Sequence, residues 1–284
     1  MNSDEIIGYN IRKHDKDAES YQTKHKEIYN STEQHRIHAL LTGIKQKYFL
    51  GVSNVKAFDF GCGTGNLTNH LLAIGFDVTA ADVSPKSLEF LKERVEKGNG
   101  EGELTTLCIN GIDLSSVPDG EFDVVCTYSV LHHIPDYLFA VEEMARILKP
   151  GGALYIDHEV CPSYWIKDEQ YTRYINELNK LTRSSALSMF VRKSKKIFSM
   201  SSWKRLVMEK VLGKRMINEE GDIHVYPDDH IEWEKISEKL GNDFFVDETD
   251  YLVCREGGVQ PELWHQWKDK IVDMRCLIAQ KRIT

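Results

Sequence analysis

Two periods of hydrophobic positions divide this chain. Over 15–49 apolar and aromatic residues recur every three to four positions, first Tyr21, His25, Ile28 and Tyr29, then Ile37, Leu40, Leu41 and Ile44. That spacing predicts helix. Gly51, Ser53 and Asn54 break it. From residue 55 onward, short apolar runs alternate with helical stretches. The pattern predicts strands at 55–60, 76–82, 104–109, 122–128 and 153–157, with helices at 66–74, 84–97 and 135–148. Gly75 closes the first of these helices, and Ser84 followed by Pro85 opens the second in cap-then-proline fashion. Such alternation implies right-handed crossovers and a mainly parallel sheet with helices on both faces. The inner strands are continuous apolar runs, as burial on two faces requires.

The alternation stops near Cys161. A helical, basic stretch occupies 163–215, an acidic helix follows at 231–240, and two late strands are predicted at 244–253 and 274–280. The chain therefore divides into an N-terminal helical segment expected to close over the bound ligand (1–50), a ligand-binding core (51–160), a basic helical cap inserted after strand five (161–222), and a C-terminal helix and strands that complete the sheet (223–284).

Composition narrows the class. The chain has 284 residues, 41% hydrophobic and 28% charged, which excludes disordered, collagenous and coiled-coil proteins. No apolar run approaches the ~20 residues of a membrane span. The opening Met1, Asn2, Ser3, Asp4 and Glu5 are unlike a signal peptide, so a cytoplasmic protein is expected. Six cysteines without a C-x-x-C pair read as reduced thiols, and no metal site is expected from them. The net charge of −8 conceals an asymmetry, because 163–215 holds thirteen Lys+Arg against four Asp+Glu, a local balance of +9. That block faces something negative, or docks on the acidic remainder of the protein.

The chemistry concentrates at the first strand-to-helix turn, where an open α/β sheet binds its ligand. Gly61, Gly63 and Gly65 permit close backbone approach there. Asp59 precedes the turn, where a carboxylate suits a cationic amino group and would repel a pyrophosphate. Asn66 stands where a dinucleotide fingerprint has its third glycine, which weighs against a nicotinamide-dependent oxidoreductase. Asp82, at the end of strand two, is placed to take a ribose diol through both oxygens.

These residues resemble a known family. Phe-Asp-Phe-Gly-Cys-Gly-Thr-Gly-Asn at 58–66 resembles motif I of class I S-adenosylmethionine (SAM) dependent methyltransferases. The run from Phe122 through Leu131, His132, His133, Ile134, Pro135 and Asp136 is similar to the strand-four segment of the ubiquinone/menaquinone-type, methyltransferase type 11-like branch. Ile147, Leu148, Lys149, Pro150, Gly151 and Gly152 match its motif before strand five. The resemblance covers 48–157 and implies a Rossmann-like sheet of seven strands, the last antiparallel. It also implies SAM as cofactor and S-adenosylhomocysteine as product. Asp59 would lie near the methionine amine, Gly61, Cys62, Gly63, Gly65 and Asn66 under the cofactor, and Asp82 with Val83 at the ribose. Asn110 or Asp113 would meet the adenine amine, Gly111 and Ile112 the ring, and Thr127, Tyr128 and Ser129 the methionine end.

Methyl transfer from a sulfonium requires alignment and exclusion of water, and a base only when the acceptor must lose a proton. His132, His133 and His158 are the candidates. His158 lies between Asp157 and Glu159, a setting expected to hold its pKa near neutral or above. His35 and His38 share a helix face without carboxylate or cysteine partners and are not read as metal ligands. Tyr21 and Tyr29 form an aromatic wall toward the sulfonium, or else pack the N-terminal helix onto the core. The expected acceptor is a small molecule presenting an O, N or C centre. The cap, with Lys195, Lys196, Lys204 and Arg205 around Ile197, Met200 and Trp203, leaves three readings open: a lid over that pocket, a helix on an anionic lipid surface, or an RNA face. A non-catalytic SAM-binding protein is the remaining alternative.

Overall fold

The computed structural model describes residues 2–97, 101–166, 168–183, 221–255 and 261–283. Five strands lie parallel in the order β3-β2-β1-β4-β5: β1 (Lys56–Phe60), β2 (Asp77–Asp82), β3 (Leu104–Cys108), β4 (Phe122–Tyr128) and β5 (Leu148–Val160). After a small hairpin of β6 (Val225–Tyr226) and β7 (Asp229–His230), β8 (Phe244–Tyr251) and β9 (Met274–Lys281) extend the sheet beyond β5. β9 is antiparallel to both its neighbours. This is the expected seven-stranded sheet with its last strand antiparallel. The strand order reverses between β1 and β4, so the ligand crevice is due at their carboxyl ends.

The described helices are α1 (Ser3–Asp17), α2 (Tyr21–Lys24), α3 (Ser31–Tyr48), α4 (Asn66–Ala73), α5 (Pro85–Val95), α6 (Tyr137–Ile147), α7 (Glu169–Arg183), α8 (Trp233–Leu240) and α9 (Pro261–Trp267). Side chains of the central strands alternate between two cores. Phe58, Val125, Leu154 and Ile156 pack with α6 and α8, whereas Ala57, Val124, Cys126 and Tyr155 pack with α3, α4 and α5. A third, aromatic cluster joins Tyr174 of α7 to Leu263 and Trp267 of α9. Tyr174 is thereby buried, with Tyr171, Ile175 and Leu178 of α7 half-buried against the same cluster.

Three elements differ from expectation. The helix expected over 15–49 is broken between Lys24 and Ser31, and its first part belongs to α1. Asn30 causes the second start, because its side chain accepts from the Glu33 N–H at 2.9 Å while donating to Cys254 O at 2.8 Å. Strand five begins at Leu148, ahead of the expected 153, because Leu148 pairs with Phe122 before a register shift. α9 falls where only a connection was expected. The cap residues Lys195, Lys196, Ile197, Met200, Trp203, Lys204 and Arg205 lie outside the described residues, and with them the lid, lipid and RNA readings. Among the described residues no helix is long and apolar enough to cross a membrane.

Candidate active site

Two adjoining cavities open beyond the carboxyl ends of β1, β2 and β4. The inner one, about 90 Å³, is floored by Gly61, Cys62, Gly63 and Asp82 and roofed by Ile7, Asn10, His14 and Tyr21. The outer one, about 280 Å³, is lined by His14, His25, His132, His133, His158 and His224. Asp17, Glu27, Glu159 and Asp222 stand among these imidazoles, with Tyr164 and Trp165 as an aromatic end wall. His14, Tyr21, Ile28, Ser129 and His133 line both, so the two spaces meet at a common wall.

The turn after β1 is shaped by its first glycine. Gly61 has φ +71°, and a Cβ there would meet the Val130 methyls at 2.6 Å, so no other residue fits without moving β4's loop. The chain then brings the Gly63 N–H onto Asp82 Oδ2 at 2.8 Å, while Ser84 N donates to Oδ1 at 2.8 Å. Two neutral donors thus fix the carboxylate, and each oxygen keeps a lone pair. Burial pushes the Asp82 pKa up, and the nearby His14 opposes that rise. A carboxylate so oriented at a cavity floor fits a vicinal diol.

Of the other expected cofactor residues, Cys62, Asn66, Val83, Gly111, Tyr128 and Ser129 line the inner cavity, as do Tyr21 and Tyr29. Burial pushes the Cys62 thiol far up, so it serves as an apolar wall and not as a nucleophile. Asp59 is buried beneath the turn and does not line the cavity. Thr68 Oγ1 donates to it at 2.6 Å, and burial, partly offset by that bond, pushes its pKa up to about 7. Gly65, Asn110, Ile112, Asp113 and Thr127 also stand off the lining. Asn110 Oδ1 accepts from the Ile112 and Asp113 N–H groups at 2.8 and 3.0 Å, a local turn that presents Gly111. Asp113 accepts from Ser115.

All three candidate histidines line the outer chamber. The expectation for His158 needs correction, since its pKa is lowered. Burial outweighs the rise that Glu33, Asp157 and Glu159 contribute, and the Arg36 guanidinium, paired with Asp157, adds to the lowering. His158 has φ +63°, a conformation uncommon for a residue with a Cβ. Asp157 Oδ1 holds it there by accepting from the His158 N–H at 2.7 Å, and the ring stacks on Tyr128 with centroids 4.7 Å apart. Its Nε2 is buried with no hydrogen-bond partner. A neutral imidazole with an available lone pair is a proton acceptor. Burial and the adjacent His132 and His14 likewise lower the His133 pKa well below its usual value.

The 1–50 segment was expected to close over the cofactor; sequence reasoning did not anticipate that α1 in particular supplies the roof. Its signal was Asn2 with Glu5, a capping box that the structure forms through mutual hydrogen bonds. Nor did it anticipate Asp222, which the fold brings within 4.8 Å of both His132 and His133 as a possible metal-ligand set. No local spacing links residue 222 to residue 132. His35 and His38 are not in this group.

Comparison with known proteins gives a consistent picture. A family model described as "Methyltransferase domain" matches residues 58–156. Ubiquinone biosynthesis O-methyltransferase from Xanthomonas oryzae pv. oryzae is 29% identical over 107 residues, 38% of this chain and 44% of that protein. The protein of the same name from Idiomarina loihiensis is 30% identical over 122 residues, 43% and 49% of the two chains. The match thus spans less than half the length of these curated relatives. Among solved structures, magnesium protoporphyrin IX methyltransferase from Synechocystis PCC 6803 with bound SAM superposes with TM-score 0.54 at 13% identity, covering 99% of this chain and 98% of the other. The YcgJ protein of Bacillus subtilis gives TM-score 0.50 at 14% identity, over 88% and 100%. These structural likenesses speak for the fold.

Proposed function

This chain carries a class I methyltransferase domain, and we propose that it binds S-adenosylmethionine in the inner cavity and methylates a hydroxyl oxygen of a small aromatic acceptor in the outer chamber. The observation that carries this reading is the junction of the two spaces: a carboxylate set for a diol on one side of a shared wall, and neutral imidazoles on the other. The cofactor, when bound, supplies a methyl group already activated on a sulfonium. The protein's part is to align an oxygen, exclude water and receive a proton.

Asp82 holds the ribose hydroxyls, the glycine turn underlies the cofactor, and Tyr21 and Tyr29 wall it. Residues of 1–50 close the inner cavity through Ile7, Asn10 and His14. His158 accepts the hydroxyl proton through Nε2, while His132 and His133 face the acceptor across the chamber. An oxygen acceptor is favoured over nitrogen or carbon because a neutral buried imidazole suits the removal of a hydroxyl proton. The names of the curated relatives agree with that choice. Tyr164 and Trp165 favour an aromatic body.

The first test is calorimetric titration with SAM and S-adenosylhomocysteine, followed by release of the latter in the presence of simple phenols and catechols. Asp82→Ala weakens SAM binding by roughly 1–3 kcal/mol, the scale of a lost charge-assisted contact. Unchanged affinity would remove Asp82 from the cofactor site.

Asp59 adds a pH dependence of definite sign. Its carboxyl is protonated below about 7 in the free protein, and a bound cation favours the ionised form. SAM affinity therefore rises with pH toward about 7, by at most tenfold per unit, and levels above it. Asp59→Asn flattens the profile while the wild-type slope persists across buffers. A flat wild-type profile would show that Asp59 does not sense the cofactor's charge.

A further inference from the structure

We propose that His132, His133 and Asp222 bind a divalent transition-metal ion of the zinc class at the junction of the two cavities. The argument begins with distances. Asp222 Oδ1 lies 3.6 Å from His132 Nε2 and 3.4 Å from His133 Nδ1. Both are long for hydrogen bonds. In a tetrahedral site with bonds of about 2.0–2.2 Å, neighbouring ligand atoms stand roughly 3.3–3.6 Å apart, because the edge of a tetrahedron is about 1.6 times the centre-to-vertex length. The carboxylate oxygen already stands at that spacing from each imidazole nitrogen, and all three ligand atoms lie within 4.8 Å of one another. His133 Nδ1 is itself buried without a hydrogen-bond partner.

The surroundings are those of a prepared ligand set. His132 Nδ1 meets Glu159 Oε2 at 2.7 Å, while Glu159 Oε1 accepts from the Val130 and Leu131 N–H groups at 3.0 and 2.8 Å. The carboxylate is anchored on backbone and fixes the imidazole proton on Nδ1, so the ring's other nitrogen is the coordinating one. A carboxylate behind a histidine is the usual outer support of a metal-bound imidazole. Asp222 is anchored just as firmly. The next two residues donate backbone N–H groups to His132 O, from Ile223 at 3.0 Å and His224 at 3.3 Å. Before it, Gly221 has φ +95° and packs where a Cβ would fall 2.0 Å from Asn10 Oδ1. Asn10 Nδ2 in turn donates to His133 O at 3.2 Å. α1, the loop after β4 and the segment at 221–224 are thus stitched together around the three ligand atoms.

Three protein ligands leave a fourth position, as catalytic zinc sites do. His132, His133 and Asp222 all line the outer chamber. The ligand for that position is an acceptor hydroxyl oxygen, whose acidity the ion would increase. This last role rests on the function proposed above; the binding of the ion does not.

The test is one-to-one uptake of Co(II), read by its visible absorption, and of Zn(II), read by equilibrium dialysis, on the full chain without cofactor or acceptor. Wild type binds one ion, with the strong visible bands of four-coordinate Co(II). His133→Ala and Asp222→Asn weaken binding at least 100-fold, whereas His25→Gln, in the same chamber, leaves it unchanged. Glu159→Gln, which keeps an oxygen for the backbone donors, weakens it 10- to 100-fold. Melting curves establish that each variant is folded, and the Asp222→Asn and Glu159→Gln results stand if the alanine variant is not. Absence of stoichiometric binding by wild type, or equal binding by all variants, overturns the proposal. SAM titration of the same samples separates the two claims: an ion bound without SAM leaves this site standing and removes the reading above, and the converse removes only the site.

Discussion

Arg36→Met is expected to destabilise the protein by about 3–5 kcal/mol, the cost of stranding buried charge. Arg36 projects from α3, where its guanidinium donates to Asp157 Oδ2 at 2.7 Å, to Tyr251 Oη at 2.9 Å and to Glu33. Asp157 has no solvent exposure and Glu33 has 2%. Tyr128 Oη donates to Glu33 at 2.8 Å, and the hydroxyls of Tyr155 and Tyr251 donate to Asp157. One guanidinium therefore neutralises two buried carboxylates, and the surrounding carboxylates and hydroxyls push its own pKa up despite burial. Methionine fills similar space and leaves both acids without a cation. For a chain of this size the loss corresponds to a fall in melting temperature on the order of 10 °C. Arg36→Lys keeps the charge and loses the fork, and is expected to fall between the two. Stability equal to wild type in the methionine variant would mean that the tyrosine hydroxyls alone suffice to hold Asp157.

The same network explains which parts of this molecule were legible in the sequence. The sheet was, because each strand's apolar run and each glycine that ends a helix acts within a few residues. Asp82 and the glycine turn were legible for the same reason: the motif is contiguous, and the Gly63-to-Asp82 bond spans one βα unit. His158 was found as a candidate, yet its electrostatics were misjudged. Adjacency to Asp157 and Glu159 does push the pKa up, but burial outweighs it, and the Arg36 guanidinium that pairs with Asp157 pushes the same way as burial. Which partner claims a charge is a tertiary fact. The roof was partly legible, since the 1–50 segment was expected to close over the cofactor, but nothing in α1 says that Asn10 and His14 face a cavity. Asp222 carried no signal, because ninety residues separate it from His132.

Those tertiary facts bear on catalysis through one side chain. His158→Gln is expected to lower the single-turnover rate of methyl transfer by about 10²–10⁴-fold, the usual loss on removing a general base. Glutamine retains the backbone N–H that Asp157 orients and approximates the ring's reach, so SAM affinity should stay within about twofold of wild type. The pH profile separates this role from a structural one. Burial lowers the His158 pKa below its ordinary 6.5, so the base is neutral and active across pH 7–8. Acidification through this lowered pKa, below 6.5, protonates it and the wild-type rate falls, whereas the residual rate of the glutamine variant lacks this limb. Added imidazole should restore part of the rate, as the outer chamber of about 280 Å³ admits a small ring beside an acceptor. A variant that retains both rate and acid limb would show that the proton leaves by another route. In that case the left-handed backbone at His158 would serve only to seat its ring on Tyr128 at the wall of the cofactor cavity.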